Sequence, residues 1–362
     1  MRSALAEKLL AKTMNWTTEE TSRERPLLQA LASFKYNEYQ QFSPGTRFIE
    51  SLVKWLSQFE TEEEKNTAYQ FVLDSLIFIS SDQMSHLVNI TYADKIQPIV
   101  IRKTASVINL NPFWVSKIVK STTYKVSLRR SLFIGLSDGS KIDLLRRSSQ
   151  RLSNEQVLTT YSISEVKRND MLNELKKEKI NLKFNTVFLI DDFTASGTSY
   201  FRKSDGEWKG KIFKFLQSIL PDGENANLRQ ENDSLDIHII FYIATTDALL
   251  KLKENIQTYK SEHPESNFAF TIDAVQIIGS EVKAEILNKT SFIDLVKKYF
   301  DENIIDRHYK EGIHDKPYLG FNECCLPVIL SHNTPNNSLP ILWFPDDKII
   351  GLFPRVKRHK DE

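Results

Sequence analysis

Residues Thr186–Ser199, TVFLIDDFTASGTS, place an uninterrupted apolar run directly before two acids and a loop of small residues. The run Val187–Ile190 shows no polar alternation, which is typical of a strand covered by helices on both faces of a parallel sheet. Such sheets bind ligands at the carboxyl ends of their strands, where Asp191 and Asp192 fall. Because adjacent strand residues point to opposite sides, at most one of these acids can face the core while the other faces the crevice.

The loop after the acids has little side-chain bulk. Successive backbone N–H groups can therefore converge on one anion, as they do in a nest, and the hydroxyl groups add donors. The two carboxylates can accept hydrogen bonds from vicinal hydroxyls of a ribose. These features predict a site for a phosphorylated sugar, and the loop residues expected to bind it are Thr194, Ala195, Ser196, Gly197, Thr198 and Ser199.

The order of strand, acid pair and hydroxyl-rich loop resembles the phosphoribosyl diphosphate (PRPP) signature of type I phosphoribosyltransferases. The resemblance implies that Asp191 and Asp192 hold the ribose 2′ and 3′ hydroxyls, and that Thr194–Thr198 hold the 5′-phosphate. It also implies an α/β fold, a phosphoribosyltransferase-like parallel sheet flanked by helices, with Mg²⁺ bound through substrate oxygens. The alternative is an ordinary turn that uses small residues and Asp caps.

A second candidate loop lies upstream, where a predicted strand, Ser131–Leu136, is followed by Ser137, Asp138 and Gly139. Type I phosphoribosyltransferases carry a short loop of small residues before the signature, and that loop cups pyrophosphate. The resemblance assigns this role to the three residues. An Asp-Gly hairpin turn into a strand at Lys141–Leu145 explains them equally well.

Arg146 and Arg147 come next and lead into the polar stretch Ser148–Gln156. In the family a mobile loop near this position closes over the reacting centre. The two guanidinium groups are candidate catalytic residues, since they can neutralise the charge that grows on departing pyrophosphate. A solvated charged surface is the other interpretation of the pair.

The segment after the signature departs from the family pattern. Arg202–Gly206 separates the loop from the amphipathic run Ile212–Leu220. In the family the loop leads straight into a helix whose amino terminus faces the phosphate. Either the first helix is one short turn here, or a loop has been inserted.

The chain before this unit predicts a helical region. Apolar residues recur at helical spacing from Phe48 to Phe59, and a capping box, Thr61 to Glu64, precedes another such run. From residue 116 strands alternate with helices, so we predict a helical domain at 1–115 and an α/β domain at 116–362. The helical domain is interpreted as a layer on the catalytic domain or as a partner-binding module.

Composition narrows the function classes. A net charge of +1 gives no support for a nucleic-acid partner. The only cysteines, Cys324 and Cys325, are adjacent and cannot form a disulfide framework, which favours a reducing, cytoplasmic location. No apolar window approaches the roughly 20 residues of a membrane span, so no membrane association is expected. Walker, HExxH and CxxC motifs are absent, and no protein-bound metal is predicted.

The chain also resembles a divergent phosphoribosyltransferase-like group found in bacterial conflict and antiphage gene clusters. This resemblance covers residues 136–139, 146–149 and 331–337, together with the helical region. This resemblance implies PRPP or a related phosphorylated ribose as the ligand, and protein partners encoded in the same cluster. The main hypothesis is transfer or cleavage at the ribose anomeric carbon by a defence effector. The alternative is a non-catalytic PRPP sensor that acts through the helical region.

Overall fold

The described residues of the chain form two compact units. The first unit consists of residues 1–84 and 280–362, and the second of residues 85–279. The predicted domain bounds, 1–115 and 116–362, differ from these divisions and stay a prediction. The computed structural model describes residues 3–42, 47–149, 151–178, 180, 182–230, 234–264, 267–305, 309–312, 315–345 and 348–355.

Helices and strands alternate in the second unit, whereas helices dominate the first. The helices are α1 (Ser3–Thr13), α2 (Thr18–Phe34), α3 (Phe48–Ser57), α4 (Glu62–Asp74), α5 (Ser81–Thr91), α6 (Gln97–Val107), α7 (Val115–Lys120), α8 (Thr122–Arg129), α9 (Ile142–Ser149), α10 (Glu165–Lys177), α11 (Lys211–Ile219), α12 (Thr246–Glu262), α13 (Ser280–Asn288) and α14 (Thr290–Lys298). The strands are β1 (Ile77–Ile79), β2 (Ser131–Gly135), β3 (Val157–Leu158), β4 (Thr186–Thr194), β5 (Arg202–Ser204), β6 (Glu207–Lys209), β7 (Leu235–Thr245), β8 (Phe268–Ile278) and β9 (Val328–Leu330).

The first unit is a helical body with one short parallel strand pair. The predicted helices after Phe48 and after the Thr61 capping box are present as α3 and α4, and the Thr61 box forms as predicted. β1 pairs in parallel with β9, a pairing that the sequence did not predict. The core is rich in aromatic residues, and the rings of Phe71 and Phe292 stack with their centroids 3.8 Å apart. Burial of such rings stabilises this unit.

A five-stranded parallel sheet, in the order β3, β2, β4, β7, β8, forms the centre of the second unit. Val187 and Leu189 of β4 share one face with Ile237 of β7, in a core cluster that includes side chains of α10, α11 and α12. On the opposite face the rings of Phe133 and Phe188 stack, with centroids 4.9 Å apart. Helices therefore cover a sheet of apolar strands, and the predicted α/β fold is confirmed.

The chain order of these strands creates a switch point between β2 and β4. After β2 the chain adds β3 on one side, and it then returns to add β4 on the other side. In open parallel sheets the loops that leave such a pair of strands diverge, and a crevice opens at their carboxyl ends. The residues after β2 and at the end of β4 are the two predicted ligand loops.

One local prediction is wrong. The segment Lys141–Leu145 is not a strand, because Asp138–Ser140 forms a 3-10 turn and α9 begins at Ile142. Lys141 adopts a left-handed conformation (φ 45°) at the junction, which redirects the chain into the helix. The Asp-Gly hairpin interpretation is therefore wrong, and the β2 loop is a strand-to-helix connection.

Candidate active site

The two acids of the signature lie at the carboxyl end of β4 on opposite faces of the strand. Asp191 is fully buried, whereas Asp192 is only partly buried. This arrangement agrees with the expectation that one acid faces the core and the other the crevice. The difference in exposure separates their chemistry, since only Asp192 presents part of its surface to solvent.

Four donors hold the carboxylate of Asp191. The hydroxyl of Ser137 and the backbone N–H of Asp192 donate to Oδ1, the latter at 3.1 Å. The hydroxyl of Tyr200 and the ammonium of Lys211 each donate to Oδ2 at 2.9 Å. Because the donors come from the β2 loop, β4, the segment after the signature and α11, Asp191 connects the elements that surround the crevice.

The electrostatic environment of Asp191 opposes its ionisation. Burial raises the pKa of Asp191 above its ordinary value, and the neighbouring carboxylate of Asp192 raises it further. The Lys211 ammonium and the Ser137 hydroxyl act in the opposite direction but do not reverse the shift. Burial and the two carboxylates also raise the pKa of Tyr242, whose hydroxyl donates to the carbonyl of Ser140 at 2.7 Å. A buried carboxyl group whose pKa is raised beside a second acid is characteristic of functional sites.

The β2 loop packs directly against the second acid. A Cβ added at Gly139 would lie 2.8 Å from Cγ of Asp192, closer than van der Waals contact permits. Glycine at 139 thus lets the loop backbone approach the carboxyl group. Ser137 bonds Asp191 and Gly139 touches Asp192, so the structure brings the predicted pyrophosphate loop and the acid pair together. Asp138 lies between them, in the 3-10 turn.

Side-chain hydrogen bonds from the end of β4 and from β7 order the small-residue loop after β4. The hydroxyl of Thr194 accepts from the N–H of Gly197 at 3.2 Å, and Thr245 of β7 donates to the carbonyl of Ala195 at 2.6 Å. Gly197 has a positive φ of 72°, and a Cβ there would lie 2.9 Å from Cγ of Leu252. Both its conformation and its contact with α12 therefore favour glycine. Ser196, Thr198 and Ser199 are partly exposed, as a ligand-binding loop requires.

A β-hairpin interrupts the path from this loop to its helix. The chain makes one helical turn, in which the N–H groups of Tyr200 and Phe201 donate to the carbonyl of Gly197, and β5 and β6 then form the hairpin. α11 follows, and its first N–H groups, of Lys211 and Ile212, donate to the carbonyls of Ser199 and Tyr200. The two alternatives from the sequence, a first helix of one short turn and an inserted segment, thus occur together. The hairpin is inserted without moving the helix start away from the loop.

The two arginines occupy a helix. Arg146 and Arg147 lie in the last turn of α9, so the mobile loop expected at this position does not include them. Arg146 is half-buried and Arg147 is exposed. The rest of the expected loop contains α9 residues, the 3-10 turn Asn154–Gln156 and Gln150, which lies outside the described residues. The catalytic role of the arginines stays a prediction.

Three residues near the acids have roles that the sequence did not assign. Tyr200 and Lys211 bond Asp191, and the Lys211 ammonium lies 4.7 Å from the centre of the Tyr200 ring. Tyr242 ties β7 to the β2 loop through Ser140. The pairing of Lys211 with Asp191 depends on the inserted hairpin, which returns the chain to the loop before α11 begins.

Comparison with protein families agrees with this geometry. A family model described as PRTase-CE, a phosphoribosyltransferase-type family, matches residues 52–355. The chain belongs to the PRTase-CE family. The phosphoribosyltransferase-like resemblance of the signature is therefore confirmed, and the match extends through both units. No curated protein and no solved structure matches the chain.

Asp192 is the carboxylate of the acid pair that could contact a metal ion in this PRTase-CE protein. Within the described ranges, no three His, Cys, Asp or Glu side chains form a group that could hold a metal ion. Asp191 already accepts from four donors, which leaves Asp192 as the carboxylate of the pair with solvent exposure. Mg²⁺ commonly binds through one or two carboxylates and substrate phosphates, a pattern that suits this site.

None of the described helices is long and apolar enough to cross a membrane.

Proposed function

We propose that this protein binds PRPP together with Mg²⁺ at the carboxyl ends of β2 and β4, and that it transfers or cleaves at the ribose anomeric carbon. The observation that carries the proposal is the contact between the two loops. Gly139 of the β2 loop packs on Asp192 of the acid pair, at the switch point where parallel sheets bind ligands. A pyrophosphate loop and a ribose-binding acid must be adjacent because their targets are joined in one substrate.

We assign a different part of PRPP to the acid pair, to the loop after β4 and to the β2 loop. Asp192 accepts hydrogen bonds from the ribose hydroxyls, and Thr194–Thr198 with Ser199 bind the 5′-phosphate through backbone N–H and hydroxyl groups. The β2 loop, Ser137–Gly139, lies against the pyrophosphate. Asp191 is a positioning residue in this proposal, since its buried carboxylate accepts from Ser137, Tyr200 and Lys211.

The reaction proposed is displacement at the anomeric carbon. The bond from this carbon to the pyrophosphate oxygen breaks, and its electron pair leaves with pyrophosphate. A lone pair of the acceptor, a nitrogen base or water, forms the new bond, and the acceptor's proton passes to solvent. When bound, Mg²⁺ would neutralise charge on the pyrophosphate, and Arg146 and Arg147 of α9 are proposed to add to this neutralisation. No protein nucleophile is needed, because positioning and charge neutralisation lower the barrier.

Calorimetric titration with PRPP and Mg²⁺ tests the binding step. We expect saturable binding by the wild-type protein and loss of binding in Asp192→Asn, since the amide keeps the shape but not the charge. Asp205→Asn is the matched control, because Asp205 is an exposed acid of the same unit, in the hairpin turn. Equal affinity in wild type and Asp192→Asn would overturn the proposed site.

Release of pyrophosphate separates catalysis from sensing. A protein that consumes PRPP releases pyrophosphate at a rate that Asp192→Asn lowers, whereas a PRPP sensor binds without turnover. The hydrogen bonding of Asp191 is compatible with either outcome, so an assay is needed to distinguish them. The assay is run on the same protein preparations as the titration. Saturable binding with no pyrophosphate release would replace the enzyme proposal with the sensor.

We further propose that the activity serves a bacterial conflict system, in which partner proteins control it. The support is the resemblance of residues 136–139, 146–149 and 331–337 to the group from antiphage gene clusters. Expression of the wild-type chain alone should then arrest bacterial growth, and Asp192→Asn should relieve the arrest. Equal growth arrest by both proteins would show that toxicity does not depend on the Asp192 site.

A further inference from the structure

Two aromatic side chains project from the connection between α6 and α7 in the second unit. Phe113 is 88% exposed and Trp114 is 51% exposed. The connection is ordered by Asn111, whose side chain accepts from the N–H of Phe113 and whose carbonyl accepts from the N–H of Trp114, both at 3.0 Å. The structure thus displays adjacent rings on a defined turn, although exposure of such rings is unfavourable in water.

The surrounding sequence is strongly cationic. From residue 95 to residue 137 the chain contains no Asp or Glu, although the whole protein is nearly neutral. Positive charge is therefore concentrated in this segment, although the net charge of the whole chain is only +1. The cations of this segment are Lys95, Arg102, Lys103, Lys117, Lys120, Lys125, Arg129 and Arg130.

Some of these cations have structural partners within the unit. Lys95 pairs with Asp273, Lys103 with Asp236, and Arg129 with Glu178. The first two pairs join these cations to β8 and β7, and the third joins Arg129 to the end of α10, which leaves little charge for a ligand. The inference rests on the cations that form no such pair.

Three lysines in the two helices that follow the rings differ from these paired cations. Lys117 and Lys120 are exposed side chains of α7, and Lys125 is an exposed side chain of the adjoining α8. Within the described part of the chain, none of the three forms an ion pair with a carboxylate. The Lys117 ammonium lies 4.5 Å from the centre of the Trp114 ring. We call Phe113, Trp114, Lys117, Lys120 and Lys125 the aromatic-basic patch.

We propose that the aromatic-basic patch binds single-stranded nucleic acid, a function beyond the proposed PRPP site. Lysines bind the phosphates, and unpaired bases stack on Phe113 and Trp114, the combination found in proteins that bind single strands. Lysine is depleted at protein–protein interfaces, so a cluster of exposed lysines beside two rings favours a polyanion over a protein partner. Projecting rings can stack only on bases that are not already paired, which favours a single strand over a duplex.

Fluorescence anisotropy with a labelled oligo(dT) or oligo(U) tests the proposal on the full-length protein. We expect saturable binding that Phe113→Ala/Trp114→Ala weakens about tenfold or more. Lys117→Gln/Lys120→Gln should lower the slope of log affinity against log salt by about 1.4, the value for two lost phosphate contacts with a single strand. Both variants change exposed side chains, so the thermal midpoint should stay at the wild-type value.

Matched controls use exposed residues outside the patch. Phe34→Ala removes a ring that is 83% exposed in the first unit, and Lys253→Gln/Lys260→Gln removes two exposed charges of α12. These variants should bind the oligonucleotide as the wild type does. Losses equal to those of the patch variants would show that binding is non-specific, and would overturn the assignment.

Competition experiments examine the other occupants. An unlabelled single strand should displace the probe, whereas a duplex of the same length and polyglutamate should displace it at least about tenfold less effectively. Equal displacement by polyglutamate would assign the patch to an acidic protein, and equal displacement by the duplex would remove the stacking argument. Asp192→Asn should bind the oligonucleotide normally, so this test is independent of the PRPP site. Absence of saturable binding also overturns the proposal.

Discussion

Glu64 in the first unit and Asp191 in the second each accept hydrogen bonds from four donors, yet their pKa values move in opposite directions. Burial alone would raise the pKa of Glu64, but Lys298, Tyr299 and two backbone N–H groups hold it at about 2. For Asp191, burial raises the pKa, and four donors that include Lys211 do not compensate. The number of donors therefore does not decide the shift.

The difference lies in what surrounds each carboxyl group. Glu64 keeps 19% of its side-chain surface in contact with solvent and closes a helix capping box, so its charge is stabilised. Asp191 has no solvent contact and is adjacent to the carboxylate of Asp192. The first arrangement stabilises a helix start. The second holds two acids together at an electrostatic cost, which is expected where the acids serve binding or catalysis.

Loss of the Lys211 ammonium should produce the largest change. Lys211→Met leaves the buried Asp191 without its cation, and breaking such a pair costs about 3 kcal/mol, the lower end of the usual range because Lys211 is partly exposed. Urea denaturation measures this loss in free energy of unfolding. Added to Lys211→Met, Asp191→Asn should recover much of it, since the uncompensated charge is removed. Additive losses in the double variant would mean that the two side chains are not coupled.

A change at Gly139 tests the crevice side of the acid pair. Gly139→Ala places a methyl group against the Asp192 carboxyl group, and insertion into such a close contact costs about 1 to 3 kcal/mol. We expect most of this cost to appear as an affinity for PRPP at least about tenfold weaker, measured by calorimetry. Gly206→Ala is the control for affinity alone. Its φ of 81° makes alanine costly for stability, but no atom lies within 4 Å of a Cβ at that exposed hairpin position, so PRPP affinity should not change. An unchanged affinity for PRPP in Gly139→Ala would show that the β2 loop does not contact the ligand.

The smallest effect is expected at Glu64. Glu64→Gln should lower the free energy of unfolding by about 1 kcal/mol near neutral pH without altering PRPP affinity. Because the folded pKa of Glu64 is below its ordinary value of 4.5, its contribution is present above pH 4.5 and is lost as the pH falls towards 2. The difference between wild type and variant in urea denaturation should shrink over this interval. A difference that grows on acidification would contradict the lowered pKa.

Asp191 should show the opposite sign of pH dependence. Its folded pKa is raised, so its contribution to stability is present below the ordinary value of 3.8 and is lost as the pH rises. The two acids thus contribute with opposite signs to the pH dependence of the free energy of unfolding. Their contributions separate only when Glu64→Gln and Asp191→Asn are compared with wild type at each pH.

Much of the second unit followed from local patterns. The predicted strand at 131–136 corresponds to β2, and the apolar run at 187–190 lies within β4, because unbroken apolar runs have few other stable placements. The prediction for Lys141–Leu145 was wrong because a five-residue apolar alternation also fits one face of a short helix. The left-handed residue Lys141 that starts α9 has no sequence signal comparable to a glycine.

The sequence alone determined the parallel α/β unit, the position of the acid pair at a strand end and the need for a compact loop, since strand periodicity and residue size act locally. Tertiary structure decided which acid is buried, because Ser137, Tyr200 and Lys211 approach Asp191 from three separate elements. It also decided that Gly139 faces Asp192 and that a hairpin can be inserted before α11. Contacts between distant segments depend on how the strands are ordered in the sheet, and no local pattern encodes that order.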